Sequence, residues 1–141
     1  MRLDARLREI DVGEWQGMST SQVRADYPEL TAAMGRGEDV RRGVTGETVA
    51  ELAARVRPAL EEVGAELEPA RVAIVVGHGV SARTGVAALT GLDLMQAQQV
   101  LWGLGNARWA VLAQARLVSG APVQPRWRLD AWNLSGPGAA P

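Results

Sequence analysis

The stretch "RVAIVVGHGVSARTGVAALTGL", residues 71–92, decides the fold. It opens with a short, β-branched, apolar run at 71–76, the kind of sequence that fills a strand buried on both faces of a parallel sheet. It breaks at Gly77-His78-Gly79 and resumes as a helical pattern that should end near Gly91. Strand, glycine turn and helix in that order argue for an α/β architecture, in which ligands gather at the carboxyl ends of strands. His78, the chain's single histidine, stands at that point.

Working outward, the segment before this stretch carries the strongest helical signal. Thr48 and Glu51 form a capping box, and Val49, Leu52, Ala53, Val56, Leu60, Val63 and Leu67 recur as an amphipathic stripe. Pro58 inside it predicts a bend. Residues 35–46, glycine-rich and charged, read as a mobile loop. Ser19 with Gln22 predicts a further capped helix from Thr20, which Pro28 should end near Tyr27. Residues 6–17, "RLREIDVGEWQG", are turn-rich. On the other side, Asp93 with Gln96 predicts a helix start, and residues 107–114 and 126–132 read as strands. One domain over 1–133 with a frayed tail at 134–141 is expected. Five tryptophans in a chain without phenylalanine are expected mostly in the core or at subunit contacts.

Composition excludes several classes of function. The 141 residues suffice for one domain with a real core. A net charge of −1 offers no global positive field for nucleic acid or an anionic membrane. There is no cysteine, and a single histidine cannot build the usual zinc site; no metal and no cofactor is expected. No apolar run reaches the roughly 20 residues that span a bilayer, and the N-terminus lacks the apolar segment of a signal peptide. A cytoplasmic protein is expected.

Three chemistries compete for residues 77–83. Gly77, Gly79 and Ala82 match a dinucleotide fingerprint, but its acid some 20 residues on is badly served by Asp93, which sits in a helical pattern. A serine nucleophile elbow at Ser81 would need a histidine after the serine, and none follows. Phosphate recognition fits better. A helix N-terminus presents backbone N–H groups and a positive dipole end to an anion, and a histidine there can hydrogen-bond a phosphoryl oxygen. The residues alone leave this reading open beside a simpler one, in which His78 caps the turn. Arg83, about one turn further on, could hold a carboxylate or phosphate bidentately or form a surface ion pair. Arg41 and Arg42 could close over an anion or form a solvated charge run. Glu9, Asp11 and Glu14 read by themselves as solvated carboxylates.

Three segments together resemble the histidine phosphatase superfamily, which includes the cofactor-dependent phosphoglycerate mutases: "IVVGHGVSAR" its second histidine motif, "RLREIDVGEWQG" the stretch carrying its catalytic acid, and "TGETVAELAARV" its G-E-S segment and following helix. "GLGNARWAVL" and "RWRLDAWN" resemble the actinobacterial branch that contains glucosyl-3-phosphoglycerate phosphatase. The resemblance runs from about Ala5 to Asn133. It implies a three-layer α/β/α sandwich of phosphoglycerate-mutase type, lacking its first strand and first helices. It also implies metal-free phosphomonoester hydrolysis through a phosphohistidine, on a small sugar or glycerate phosphate, and pairing into homodimers. His78 would contact the transferring phosphoryl group. Glu9 would protonate the leaving oxygen and later help activate water. Gly79 and Val80 would bind phosphate through the backbone. The family's nucleophile lies in an Arg-His-Gly motif, which this sequence does not contain, and its second phosphate-binding arginine is missing too. The chain is therefore expected to be an N-terminally shortened phosphatase without turnover as given. The alternative expectation is a remnant that binds phosphorylated ligands or partners without catalysis.

Overall fold

The computed structural model describes residues 1–114 and 127–136. Two short 3₁₀ turns, Ala5–Leu7 and Gly13–Trp15, precede five helices: α1 Thr20–Asp26, α2 Pro28–Gly35, α3 Val49–Ala65, α4 Gly79–Thr90 and α5 Leu94–Val100. Two strands, β1 Trp109–Gln114 and β2 Trp127–Leu134, pair antiparallel. The fold is mixed α/β, and none of the described helices is long and apolar enough to cross a membrane.

Local side-chain chemistry sets the helix ends. Ser19 with Gln22 and Thr48 with Glu51 each form the full reciprocal capping box, and the Asp93 carboxylate accepts from the Gln96 amide at 2.8 Å. Tyr27 ends α1, and Pro28 then opens α2 at the position where its missing N–H costs nothing. Gly91, at φ +74°, ends α4 in the left-handed conformation. The helix α3 continues through Pro58 to Ala65.

The core lies where the stripe of α3 meets α4. Leu52 and Val56 are buried with Ile10, and Leu7, Val12, Leu60 and Val80 pack around them. Gly85 lets the two helices approach closely, since a Cβ there would lie 2.6 Å from Leu60 Cδ1 and 2.9 Å from Val56 Cγ1. The hairpin docks at the other end of α3, where the Trp127 ring lies over Gly64 and Gln114 Nε2 donates to the Gly64 carbonyl at 2.9 Å.

Three sequence expectations are corrected, and the tryptophans divide between core and surface. Residues 71–76 form no strand, and they are exposed: Val72 is 86 % accessible, Ile74 87 % and Val76 86 %. The local pattern suits a buried strand, but a ladder needs a neighbour, and none of the described residues supplies one. The 35–46 loop is tied down instead of mobile. Glu14 N–H donates to Gly43 O, Gly46 N–H to Arg42 O and Glu47 N–H to Asp11 O, and Arg42, Gly43 and Gly46 are buried. Gly43, at φ +47°, sits so close to the 12–15 backbone that a Cβ would collide with it. Among the tryptophans only Trp15 is buried; Trp127 and Trp132 are half-buried, and Trp102 and Trp109 are exposed. Leu134 belongs to β2, while positions 137–141 of the expected tail lie outside the described residues.

Candidate active site

The first turn of α4 brings together residues far apart in sequence. His78 is the N-cap, with extended backbone at φ −123° and ψ 166°. Its carbonyl accepts the Ala82 N–H at 2.9 Å and the Ser81 Oγ–H at 3.2 Å. Its imidazole makes no capping bond and is exposed. The capping is done by Glu9. One carboxylate oxygen accepts the Val80 N–H at 3.0 Å, and the other accepts the Ser81 N–H at 2.9 Å and the Ile10 N–H at 3.0 Å. A carboxylate thus occupies the positive end of the helix, where orphan N–H groups and the dipole favour an anion.

The segment carrying Glu9 has no ladder of its own. Arg55 of α3 holds it. Arg55 Nη1 donates to the carbonyls of Arg6 at 2.7 Å and Arg8 at 2.9 Å, and Nη2 donates to the carbonyl of Glu9 at 2.9 Å. Its Nε and Nη2 also donate to the two Glu47 oxygens at 2.7 Å each. Glu47 accepts the Asp11 N–H at 2.9 Å. The Arg55 hydrogen bonds hold the Glu47 carboxyl below the usual carboxylate range, against the opposing effect of burial.

Of the residues singled out from sequence, Glu9 and His78 therefore meet at one turn. Gly79 opens α4, half-buried. Val80, expected to bind phosphate through its backbone, gives its N–H to Glu9. Arg83 is half-buried; its Nη1 donates to the carbonyls of Gln98 at 3.3 Å and Leu101 at 3.1 Å, at the end of α5. Arg41 pairs with Glu51 and donates to the Gly46 carbonyl, whereas Arg42 is buried and so departs from a solvated charge run. Sequence reasoning missed Arg55 as the clamp and Ser81 as a donor to Glu9. Nothing local marks either residue, because their partners in the Glu9 segment lie 46 to 72 positions away.

Residues 1–132 match the family model of the histidine phosphatase superfamily (branch 1). The chain belongs to the histidine phosphatase superfamily. Among curated members, glucosyl-3-phosphoglycerate phosphatase of Mycobacterium tuberculosis is 36 % identical over 96 % of this chain and 63 % of its own length. Phosphoserine phosphatase 1 of Hydrogenobacter thermophilus is 34 % identical over 76 % of this chain and 49 % of its own. The solved complex of the mycobacterial glucosyl-3-phosphoglycerate phosphatase with inorganic phosphate superposes with a TM-score of 0.77 at 36 % identity, over 95 % of this chain and 65 % of that one. A second solved structure, described as mycobacterial hydrolase 2, gives a TM-score of 0.82 at 35 % identity, over 99 % of this chain and 62 % of that one. The chain thus spans a little under two thirds of the glucosyl-3-phosphoglycerate phosphatases it matches.

Proposed function

We propose that the His78 turn is the phosphoryl pocket of a phosphomonoester hydrolase acting on a small sugar or glycerate phosphate. The observation that carries this is the placement of the Glu9 carboxylate on the two amides that follow His78 and Gly79. A carboxyl group beside the leaving oxygen and an imidazole for the phosphoryl charge then stand at one helix end. An alkoxide leaves poorly without an acid in reach, and the phosphoryl oxygens need donors around them. In this reading His78 and the Gly79 N–H receive the phosphoryl group and Glu9 serves the leaving group. The similarity to phosphatases named for phosphorylated hydroxy acids supports a substrate of that class.

Phosphohistidine chemistry in this family uses one histidine to attack and another to stabilise. This chain has one histidine, the N-cap of α4, and in this reading it takes the stabilising role. Residues 1–141 therefore bind the phosphoester without turnover. That feature also supports the second reading, a module that binds phosphorylated ligands and has no catalytic role. Incubating the chain with 3-phosphoglycerate and an aryl phosphate tests the assignment: phosphate release should equal that of His78→Ala. Release that exceeds that control shows that a second histidine is not required and refutes the assignment of roles.

A further inference from the structure

We propose that residues 101–105 form a fixed wall of the phosphoryl pocket, and that Trp132 and Asn133, at a bulge in β2, are the positioning residues that set it. The proposal rests on the pocket reading above and adds what holds that pocket in shape.

The wall meets the pocket at Gly79, whose N–H that reading assigns to the phosphoryl group. A Cβ on Gly79 would lie 3.5 Å from the Leu104 carbonyl oxygen, at ordinary van der Waals contact. Residues 101–105 belong to no helix or strand, so no ladder of their own fixes them. Side chains from two other elements do. On the α4 side, Arg83 Nη1 donates to the carbonyls of Gln98 and Leu101, where the end of α5 leaves acceptors without helical partners. Gln98 Nε2 donates back to Thr84 Oγ1 at 3.2 Å. These bonds fix the point at which the chain leaves α5. On the β2 side, Trp132 Nε1 donates to the Trp102 carbonyl at 2.8 Å, and Asn133 Oδ1 accepts the Gly105 N–H at 3.1 Å.

The strand departs from regular pairing at the two residues that do this. Trp109 pairs with Leu134 and Val111 with Ala131, so Trp132 and Asn133 together face the single residue Ala110. An extra residue on one strand is a β-bulge, which bends the strand and re-aims its side chains. Asn133 stands at φ +57°, in the left-handed region that asparagine enters more readily than most residues. In a regular strand neighbouring side chains point to opposite faces. At the bulge both Trp132 and Asn133 bond to the backbone of one loop. Fixed at Leu101, Trp102 and Gly105, the loop keeps the Leu104 carbonyl against Gly79, and the phosphate meets a turn that is already in place.

Titration of the full chain with inorganic phosphate, followed by nuclear magnetic resonance at His78 and Gly79, tests this with three uncharged substitutions. Trp132→Phe keeps a ring and removes the N–H. Asn133→Gly tolerates the positive φ and removes the acceptor. Gln114→Ala is the control, because it removes the bond from the same hairpin to the Gly64 carbonyl, away from the wall. Trp132→Phe and Asn133→Gly should each weaken phosphate binding about fivefold, the size of one lost hydrogen bond, and Gln114→Ala should stay within about twofold of wild type. Hydrogen exchange at the Gly105 amide should quicken in Asn133→Gly and not in Gln114→Ala. If one of the two wall variants does not fold, the other decides. An affinity within about twofold of wild type in a folded wall variant overturns the wall and leaves the phosphoryl pocket standing. An equal loss in Gln114→Ala also overturns it, since loosening the hairpin anywhere would then suffice. A wild type that gives no phosphate response at His78 and Gly79 overturns the pocket itself, and the wall with it.

Discussion

Replacing Glu9 should unhook α4 as well as remove an acid. In Glu9→Ala the amides of Val80 and Ser81, held at 3.0 and 2.9 Å, lose their acceptor at once. Loss of an N-terminal cap costs about 1 kcal/mol, with a range of roughly 0.5–2. Losing the negative charge at the positive helix end adds about 0.3–1 kcal/mol. The sum is about 2 kcal/mol, and Glu9→Gln, which keeps one acceptor oxygen, should lose roughly half of that. For a domain of this size Tm should fall by about 4–8 °C in Glu9→Ala and about half as much in Glu9→Gln. Far-UV circular dichroism melts give the Tm, and hydrogen exchange at the Val80 and Ser81 amides localises the effect. A Tm within about 1 °C of wild type with unchanged exchange at both amides would refute the capping role. The result also bears on catalysis. In a family member with the same contact, a drop in kcat on Glu9→Gln reports the acid only after the looser helix has been accounted for.

Three further outcomes follow from the same contacts. Arg55 holds Glu47 below the ordinary carboxylate range, so ionised Glu47 favours the fold above the unfolded value of about 4.3 and that contribution disappears as pH falls through the lower folded value; the Tm difference between wild type and Glu47→Gln should therefore be largest near neutrality and shrink in acid, and a constant difference would contradict it. The triple substitution Val72→Thr, Ile74→Thr and Val76→Thr should leave Tm nearly unchanged, because the side chains are exposed, while reducing self-association and dye binding in light scattering and fluorescence measurements; a large fall in Tm would show that the segment is packed. Leu52, fully buried between α3 and its neighbours, should cost about 2–5 kcal/mol on substitution to Ala in chemical denaturation.

The parts of the fold legible in the sequence are those whose physics is local. Each capped helix start was readable because Ser19, Thr48 and Asp93 bond to an amide three residues on. The α3 stripe was readable because its period is that of the helix, and Val49, Leu52, Ala53 and Val56 are buried as that period requires. What was not legible depends on distant partners. The 71–76 pattern specifies a strand's interior but not its neighbour. Glu9, one of several carboxylates in its segment, is set apart by amides 71 and 72 residues away. Arg42 sits in a run of charge, yet it is buried because Gly13, Gly43 and Gly46 let two backbone segments interlock there. No composition rule distinguishes it from Arg41, which is exposed and paired with Glu51.

The most direct test of the shared phosphoryl pocket is a titration of the full chain with inorganic phosphate followed by nuclear magnetic resonance. The His78 ring and the amides from Gly79 to Ser81 should shift together along one saturable curve, and His78→Ala should abolish it. Shifts spread over exposed arginines, with no response at 78–81, would contradict the account.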